Sequence, residues 1–315
     1  MSKLRYTMNQ DQKNILIQKV LNKYELYKLS GSRIKRLIKE PFHVTPFFIL
    51  QLLAYIKPFK VKYKTLWGDS MSFYLPEGGM IYQYGFFEAN LTNFLIRFLK
   101  SGDTFLDIGA HVGTYTILAS KLVGDNGKVY AFEPTPRTFD TLKKNSLVRE
   151  NIHVYNNAIL NEEKDIEFFD YGPKFSAFNT FRKRGDESIS FRDHVQKISV
   201  KTIALDKFCK EKNINPNFIK IDAEGAEYLI LNAMEEILKE IKPVISIEVS
   251  NTPELIENSN KSINILYSKG YVGYVAASEG FLNKHIIGKE YAYENIIFVH
   301  ETKLDEVKKL IVTTP

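Results

Sequence analysis

Cysteine is almost absent from the 315-residue sequence, since Cys209 stands alone, and an intrachain disulfide is therefore excluded. Long apolar runs are also absent: the longest, residues 46–56, is shorter than the roughly 20 residues that span a bilayer and indicates a packing or interfacial helix. The N-terminus lacks the pattern of a secretory signal. We therefore expect a cytoplasmic protein, with peripheral contact at the inner membrane face as a further hypothesis.

Acidic residues are scarce at the N-terminus. Residues 1–64 contain 14 Lys and Arg but 3 Asp and Glu, a net charge of +11, whereas the whole chain carries +6. The remainder is therefore about −5, and the basic character belongs to a helical N-terminal appendage, residues 1–58. A solvated helical face is one interpretation, and attraction to an anionic membrane or a phosphate-bearing substrate is the other. Nucleic acid is not expected, because no groove-reading motif accompanies the charge.

The glycine turn of the chain lacks the middle glycine of a dinucleotide site. Residues 101–134 predict a strand (104–108), a glycine turn, a helix (114–123) and a second strand (128–132) that ends at Glu133. The turn reads Asp107-x-Gly109-x-x-x-Gly113, with His111 where G-x-G-x-x-G requires glycine. An acid before the turn disfavours a diphosphate and favours a cationic ligand. S-adenosylmethionine fits this pattern, and an ordinary βαβ turn without a cofactor is the alternative.

A right-handed crossover places the turn and Glu133 side by side at the carboxyl ends of two parallel strands. A carboxylate there is suited to bind two ribose hydroxyls. We call residues 101–134 the cofactor cradle. Glu88 precedes it in the chain and could close over the cofactor or face outward. The predicted cofactor contacts are Glu88, Asp107, Gly109, Ala110, His111, Gly113, Glu133, Pro134, Asn157 and Asp222.

Strands alternate with helices after the cradle, which predicts a doubly wound α/β sheet in a domain of residues 59–315 with the cofactor core from about residue 84. The further predicted strands are 152–159, 166–169, 198–203, 217–221, 244–247, 271–276 and 295–299, and the helices are 86–100, 136–147, 228–241 and 255–269. Residues 60–67 and 71–74 predict a hairpin. The appendage predicts helices over 14–29 and 33–39, with Pro46 opening a third.

A polar loop, residues 171–196, interrupts this pattern. It carries aromatic and basic residues, from which Asn179, Arg182 and Arg184 are predicted to bind an anionic or sugar-bearing substrate. Loops of this length within a domain are usually functional or mobile. Mobility alone is the competing interpretation.

Acids stand at three strand ends: Glu133, Asp222 with Glu224, and Glu248. Ligands of an open α/β sheet bind beyond these ends, so the acids should converge on one crevice. We predict Asp222, Glu224 and His111 as catalytic candidates, preferring an acid, and Glu248 as a substrate contact. Helix capping is the alternative role for each acid. No metal is predicted, although oxygen ligands from Asp222, Glu224 and Glu248 would suit magnesium.

The chain resembles the FkbM-like S-adenosylmethionine-dependent methyltransferases through FLDIGAHVGTYT, VYAFEPTP, TIALDKF, IKIDAEGAEYLIL and KPVISIEVS, over residues 88–299. The resemblance implies a Rossmann-like class I methyltransferase sheet with an antiparallel last strand, cofactor contacts at Asp107, Gly109, Gly113 and Glu133, and substrate chemistry near Asp222 and Glu224. The family commonly has Asn at the position of His111.

The resemblance also implies an acceptor among the hydroxyls of sugars and glycans. The chain lacks the Asn/Asp-Pro-Pro-aromatic motif of amine-directed methyltransferases at this strand end, which favours an oxygen acceptor. We therefore expect O-methylation of a sugar, glycan, glycolipid or nucleotide-sugar, with a small-molecule or glycan acceptor as partner. A nicotinamide-dependent dehydrogenase and a non-catalytic, membrane-docking S-adenosylmethionine-binding protein are the alternatives.

Overall fold

A computed structural model describes residues 7–28, 41–176, 179–180, 195–253, 255–288 and 294–312. Its α-helices are α1 (Gln10–Lys28), α2 (Pro41–Ile56), α3 (Gly79–Tyr84), α4 (Ala89–Phe98), α5 (Thr114–Val123), α6 (Pro136–Ser146), α7 (Leu205–Glu211), α8 (Glu227–Asn232) and α9 (Ile256–Ser268). The predicted helix over 33–39 and the residues Arg182 and Arg184 lie outside this part of the chain.

The strands that the structure describes are β1 (Phe59–Lys64), β2 (Ser70–Leu75), β3 (Thr104–Ile108), β4 (Lys128–Phe132), β5 (Ile152–Tyr155), β6 (Ala158–Leu160), β7 (Asp165–Asp170), β8 (Gln196–Ala204), β9 (Phe218–Ile221), β10 (Val244–Val249), β11 (Tyr271–Ala276), β12 (Leu282–Lys284) and β13 (Glu294–His300). Eight of them form one sheet in the order β12-β11-β13-β10-β9-β3-β4-β5. Five neighbouring strands of this sheet are parallel, namely β10, β9, β3, β4 and β5. The last strand, β13, lies antiparallel to β10 and β11.

Both faces of this sheet are covered. On β3, Phe105 belongs to one buried cluster and its neighbour Leu106 to another, because successive strand residues point to opposite faces. The first cluster contains residues of α4, α5 and β2, and the second contains residues of α7, α8 and α9. The structure thus confirms the predicted doubly wound fold with an antiparallel last strand.

Two smaller sheets lie beside the main one. β1 and β2 form the predicted antiparallel hairpin, in which Phe59 pairs with Leu75. β6, β8 and β7 form a three-stranded sheet in which β8 is parallel to β6 and antiparallel to β7. The N-terminal helix α1 buries Leu16, Ile17 and Val20 in the first cluster. The division of the chain at residue 58 stays a prediction.

Two predicted elements are each interrupted in the structure. Residues 152–159 are not one strand: the Asn156 amide donates to the carbonyl oxygens of Glu133 (2.8 Å) and Pro134 (2.9 Å), and the chain turns there from β5 into β6. The helix over 228–241 is interrupted, because Asp206 accepts the N–H groups of Glu236 and Ile237 and starts a separate π-helical turn, Ile237–Ile241.

Two helices also begin elsewhere than predicted. α4 begins at Ala89 rather than at residue 86, because Glu88 has a φ of 46° that a right-handed helix does not accept. α2 begins at Pro41, which suits a first helical position, and Pro46 lies inside it. Among the described residues no helix combines the length and the apolar character needed to cross a bilayer.

Candidate active site

A cavity of about 370 Å³ opens at the carboxyl ends of β3, β4, β9 and β10. Parallel strands end at the same edge of a sheet, so residues that follow different strands meet there. The predicted site residues that line the cavity are Gly109, Ala110, His111, Glu133, Pro134, Asn157, Asn179, Asp222, Glu224 and Glu248. Glu88, Asp107 and Gly113 are not among the lining residues.

The glycine turn is packed against the end of β9. Gly109 has a φ of +77°, and a Cβ added there would lie 1.7 Å from the carbonyl oxygen of Asp222. The N–H groups of Gly109 and Ala110 both donate to the carbonyl oxygen of Phe132 at 3.0 Å. Only glycine permits this approach, which sets the turn, β4 and Asp222 side by side. Gly113, with a φ of +92°, starts α5 and fits against Leu142.

Glu133 is held rigidly at the end of β4. Its Oε2 accepts the His111 N–H at 3.0 Å and its Oε1 accepts the Thr135 N–H at 2.9 Å. Burial raises the pKa of Glu133, although the nearby His111 and these hydrogen bonds oppose the shift. Each carboxylate oxygen has a second lone pair, so Glu133 can still accept hydrogen bonds from a ligand in the cavity.

Asp107 lies beneath the turn rather than at the cavity wall. Its Oδ2 accepts the Thr116 hydroxyl at 2.6 Å, and its Oδ1 lies 3.9 Å from Lys220 Nζ. Burial raises the pKa of Asp107, with Lys220 opposing the shift. The structure gives Asp107 a role in holding Lys220 and α5, and direct contact with a cofactor stays a prediction.

Lys220 is a cavity residue that the sequence analysis missed. It is 2% exposed, it donates to Asp222 Oδ2 at 2.8 Å, and its Nζ lies 5.2 Å from the centre of the Tyr115 ring. Burial opposes its charge, but Asp222 and Asp107 outweigh burial and raise the pKa of Lys220 above its ordinary value. The available signal was a lysine inside a strand whose other residues are Phe, Ile and Ile.

Three carboxylates meet at the ends of β9 and β10. Oxygen atoms of Asp222, Glu224 and Glu248 all lie within 4.8 Å of one another. Burial raises the pKa of Glu248 well above its ordinary value, and Asp222 and Glu224 add to the shift. Close carboxylates cannot all remain charged without a counter-charge, which a proton, Lys220 or a cationic ligand can supply. The chemistry of this acid cluster is therefore proton uptake or cation binding.

His111 belongs to a network that joins the turn to the segment before α3. Its Nε2 lies 2.8 Å from Ser176 Oγ and 3.6 Å from Glu77 Oε2, and Ser176 also donates to Glu77. Burial lowers the pKa of His111, but Glu77, Glu133 and Asp222 outweigh it, so the net shift is upward. Ser176 and Glu77 already contact the His111 ring, and the geometry therefore favours an acid as base.

The remaining predicted residues have structural partners. Glu88 faces inward, where it accepts the Tyr115 hydroxyl (2.7 Å) and the Asn295 amide (2.8 Å), so its outward-facing alternative is wrong. Asn179 accepts the Tyr171 N–H and donates to Thr135 Oγ1, which commits its amide to the loop. Asn157 donates to the Lys201 carbonyl at 3.3 Å.

Two cavity walls come from distant segments that the sequence analysis did not assign to the site. One is the segment around α3, with Glu77, Gly78, Met80 and Ile81, and the other is β6 with β7, including Leu160 and Phe168. Neither segment carries a sequence signal for a site, because their apolar residues are also what packing requires. Their role follows only from the tertiary fold.

Glu227 anchors the loop that carries the acid cluster. It is 4% exposed, and its Oε1 accepts the N–H groups of Ala223 (2.9 Å) and Gly225 (3.3 Å). Burial raises the pKa of Glu227 from 4.5 to about 7. Glu227 thus fixes the loop that precedes α8, while Asp222, Glu224 and Glu248 line the cavity.

This shift predicts a pH dependence of stability. The pKa of Glu227 is higher in the folded state than in the unfolded state. Its contribution to the stability of the fold is therefore fully present below about pH 4.5 and is lost as the pH rises through 7. Between pH 5 and pH 7 the wild type should lose about 2 kcal/mol that a Glu227→Gln variant does not lose. Urea unfolding at both pH values measures the difference, and parallel losses in the two proteins would contradict the assignment.

The strand order, the glycine turn and the acid at the end of β4 define a Rossmann-like nucleotide-cofactor fold. Residues 107–272 match the family model described as the methyltransferase FkbM domain. This match spans more than half of the chain, and the chain belongs to the FkbM methyltransferase family. Membership confirms the predicted family and the predicted cofactor, S-adenosylmethionine.

Individual relatives are more distant. The chain is 28% identical over 160 residues to a hexuronic acid methyltransferase, AglP, of Haloferax volcanii, covering 50% of this chain and 61% of that protein. It is 37% identical over 62 residues to a probable cobalt-precorrin-6B C(15)-methyltransferase of Saccharolobus solfataricus, covering 20% and 30%. The solved FkbM methyltransferase of Methylobacillus flagellatus is 14% identical, with a TM-score of 0.39 and coverage of 63% and 44%. The chain thus spans less than two thirds of the curated relatives it matches.

The cavity residues fit the cofactor. Glu133 presents fixed acceptor oxygens beside the glycine turn, as two ribose hydroxyls require. The acid cluster lines the same cavity, where it favours a ligand with ammonium and sulfonium charges. These features disfavour the negatively charged pyrophosphate of a nicotinamide dinucleotide.

Proposed function

We propose that this protein transfers a methyl group from S-adenosylmethionine to a hydroxyl of a sugar in a glycan, glycolipid or nucleotide-sugar. The observation that carries the proposal is the acid cluster of Asp222, Glu224 and Glu248 beside a buried lysine, on the same cavity as the glycine turn. A hydroxyl must lose its proton as it is methylated, and a carboxylate at this place can take it. The printed name of the Haloferax relative, a hexuronic acid methyltransferase, supports a sugar acceptor.

S-adenosylmethionine supplies an activated methyl group, so the protein must mainly orient the acceptor and take up its proton. Glu133, the turn residues Gly109 and Ala110, and His111 are proposed to hold the cofactor. Correct orientation of two reactants can contribute about 7 to 11 kcal/mol. Leu160 and Phe168 supply an apolar part of the cavity wall.

Asp222 is the proposed proton acceptor. Lys220 donates to its Oδ2 at 2.8 Å, which fixes the orientation of the carboxylate. We assign the proton of the acceptor hydroxyl to Oδ1 of Asp222. Such general-base help is worth roughly 10²- to 10⁴-fold in rate.

Substitution of Glu133 tests the cofactor site. A Glu133→Ala variant should bind S-adenosylmethionine about 10- to 100-fold more weakly, because hydrogen bonds to a charged group contribute about 1.5 to 3 kcal/mol. Titration calorimetry measures this, with Glu167→Gln as the control, since Glu167 lines the cavity but its side chain is 65% exposed. Equal affinity of wild type and Glu133→Ala would sink the proposed site.

An acceptor screen tests the reaction. With a labelled methyl donor, we expect label in sugar hydroxyls of glycans, glycolipids or nucleotide-sugars, and the label should be stable to mild base, as an ether is and an ester is not. Transfer to amines alone would contradict O-methylation. Tight cofactor binding without transfer to any hydroxyl acceptor would instead favour the non-catalytic alternative.

A further inference from the structure

Helix α2 carries an uncovered apolar face. Large apolar side chains are exposed along one side of this 16-residue helix, and the exposed fractions reach 66% at Leu52 and 77% at Ile56. We call this side the outer face, formed by Phe48, Ile49, Leu52, Leu53, Tyr55 and Ile56. Single exposed apolar residues are normal, but six on one helix face form a continuous patch of the kind that marks an interaction site.

The opposite side of α2 already supplies its packing. Phe47 and Ala54 are buried, and the Phe47 ring stacks on that of Tyr82 with centroids 6.0 Å apart. The Gln51 amide donates to the Pro76 carbonyl at 3.3 Å. The fold therefore does not need the outer face, and a helix that is apolar all round needs a second apolar environment.

The segment that contains this face carries positive charge. Residues 41–68 contain four lysines and no Asp or Glu. Lys57 follows α2 directly, and Lys60, Lys62 and Lys64 are exposed on alternate positions of β1. A segment with bulky exposed apolar side chains and an excess of lysines is complementary to an anionic lipid surface, where lysines meet headgroups and apolar side chains meet the acyl region.

We propose that the outer face of α2, with the lysines of β1, docks on an anionic lipid bilayer. The helix lies in the plane of the interface, since its 16 residues span only about 24 Å and its inner side is packed on the protein. Each contact between a lysine and a lipid headgroup adds electrostatic attraction. Burial of the apolar face adds the larger part of the binding free energy, and this part does not depend on salt.

Docking would bring the cavity to the membrane. The inner side of α2 contacts Pro76, and the segment that follows contributes Gly78, Met80 and Ile81 to the cavity wall. Among the acceptors proposed above, this arrangement favours a glycolipid, a consequence that rests on the proposed function. Docking itself does not depend on that function.

Vesicle flotation of the full chain tests the proposal. We expect binding to vesicles of equal parts phosphatidylcholine and phosphatidylglycerol and much weaker binding to phosphatidylcholine alone. A Leu52→Glu/Ile56→Glu variant should lose about 100-fold or more of its partitioning, because burial of a leucine-sized side chain contributes about 1.5 to 3 kcal/mol. A Lys62→Gln/Lys64→Gln variant should lose about 30-fold of its partitioning, since each lysine near the surface adds about 1 kcal/mol.

Matched controls separate docking from unfolding. Leu147→Glu and Ile287→Glu replace exposed apolar residues elsewhere and should leave partitioning unchanged. The single tryptophan, Trp67, is 4% exposed, so an unchanged emission spectrum reports an intact fold in every variant. Failure of the wild type to float with anionic vesicles would overturn the proposal. A lipid-free dimer that Leu52→Glu/Ile56→Glu dissolves would also overturn it, because a second copy would then cover the face.

Discussion

Replacing Lys220 with methionine will lower the free energy of unfolding by about 3 to 5 kcal/mol, because loss of one partner leaves buried charges without compensation. Lys220 Nζ lies 2.8 Å from Asp222 Oδ2 and 3.9 Å from Asp107 Oδ1. Asp107 is 1% exposed, so water cannot replace the lost ammonium. Methionine fills a similar volume, and the loss therefore reports charge rather than a cavity.

Urea unfolding followed by Trp67 emission measures this loss. Lys239→Met is the matched control, since the Lys239 side chain is 76% exposed and its removal should cost less than about 0.5 kcal/mol. Adding Asp107→Asn to Lys220→Met should recover part of the stability, because the orphaned carboxylate is then gone. If Lys220→Met lowers the free energy of unfolding no more than the surface control does, the ion pairs of Lys220 with Asp222 and Asp107 do not stabilise the fold.

The cofactor cradle could be read from the sequence because its signals are local. The bounds of β3, α5 and β4 agree with the predicted 104–108, 114–123 and 128–132, since strand runs, helical spacing and glycines act over a few residues. The convergence of Glu133, Asp222 and Glu248 followed from one topological rule about strand ends.

Other parts of the site depend on distant neighbours and carried no such signal. The break between β5 and β6 is set by the Asn156 amide, which reaches back to the end of β4. Lys220 was missed because its importance comes from Asp107 on another strand. Glu77 meets His111 only after the N-terminal hairpin packs beside the cradle. Sequence periodicity does not record such contacts.

Replacing Asp222 with asparagine will lower kcat by about 10²- to 10⁴-fold, because the variant loses the proton acceptor but keeps the shape of the site. The affinity for S-adenosylmethionine should fall much less than kcat, since Glu224 and Glu248 still line the cavity. The asparagine carbonyl can still accept from Lys220, so the local structure is preserved. Single-turnover assays with labelled methyl donor, combined with calorimetry, separate the two effects. Glu235→Gln, at a side chain that is 73% exposed, is the matched control.

The neighbouring acids make this prediction specific. Burial and the charges of Asp222 and Glu224 raise the pKa of Glu248 well above its ordinary value, which favours the neutral acid. Glutamine imitates that neutral acid, and Glu248→Gln should therefore keep kcat within about tenfold of the wild type, whereas Asp222→Asn should not. A larger effect from Glu224→Gln than from Asp222→Asn would move the base to Glu224. Loss of activity in EDTA with recovery in magnesium would show instead that the cluster binds a metal, since its three oxygens lie within 4.8 Å of one another and could act as hard ligands.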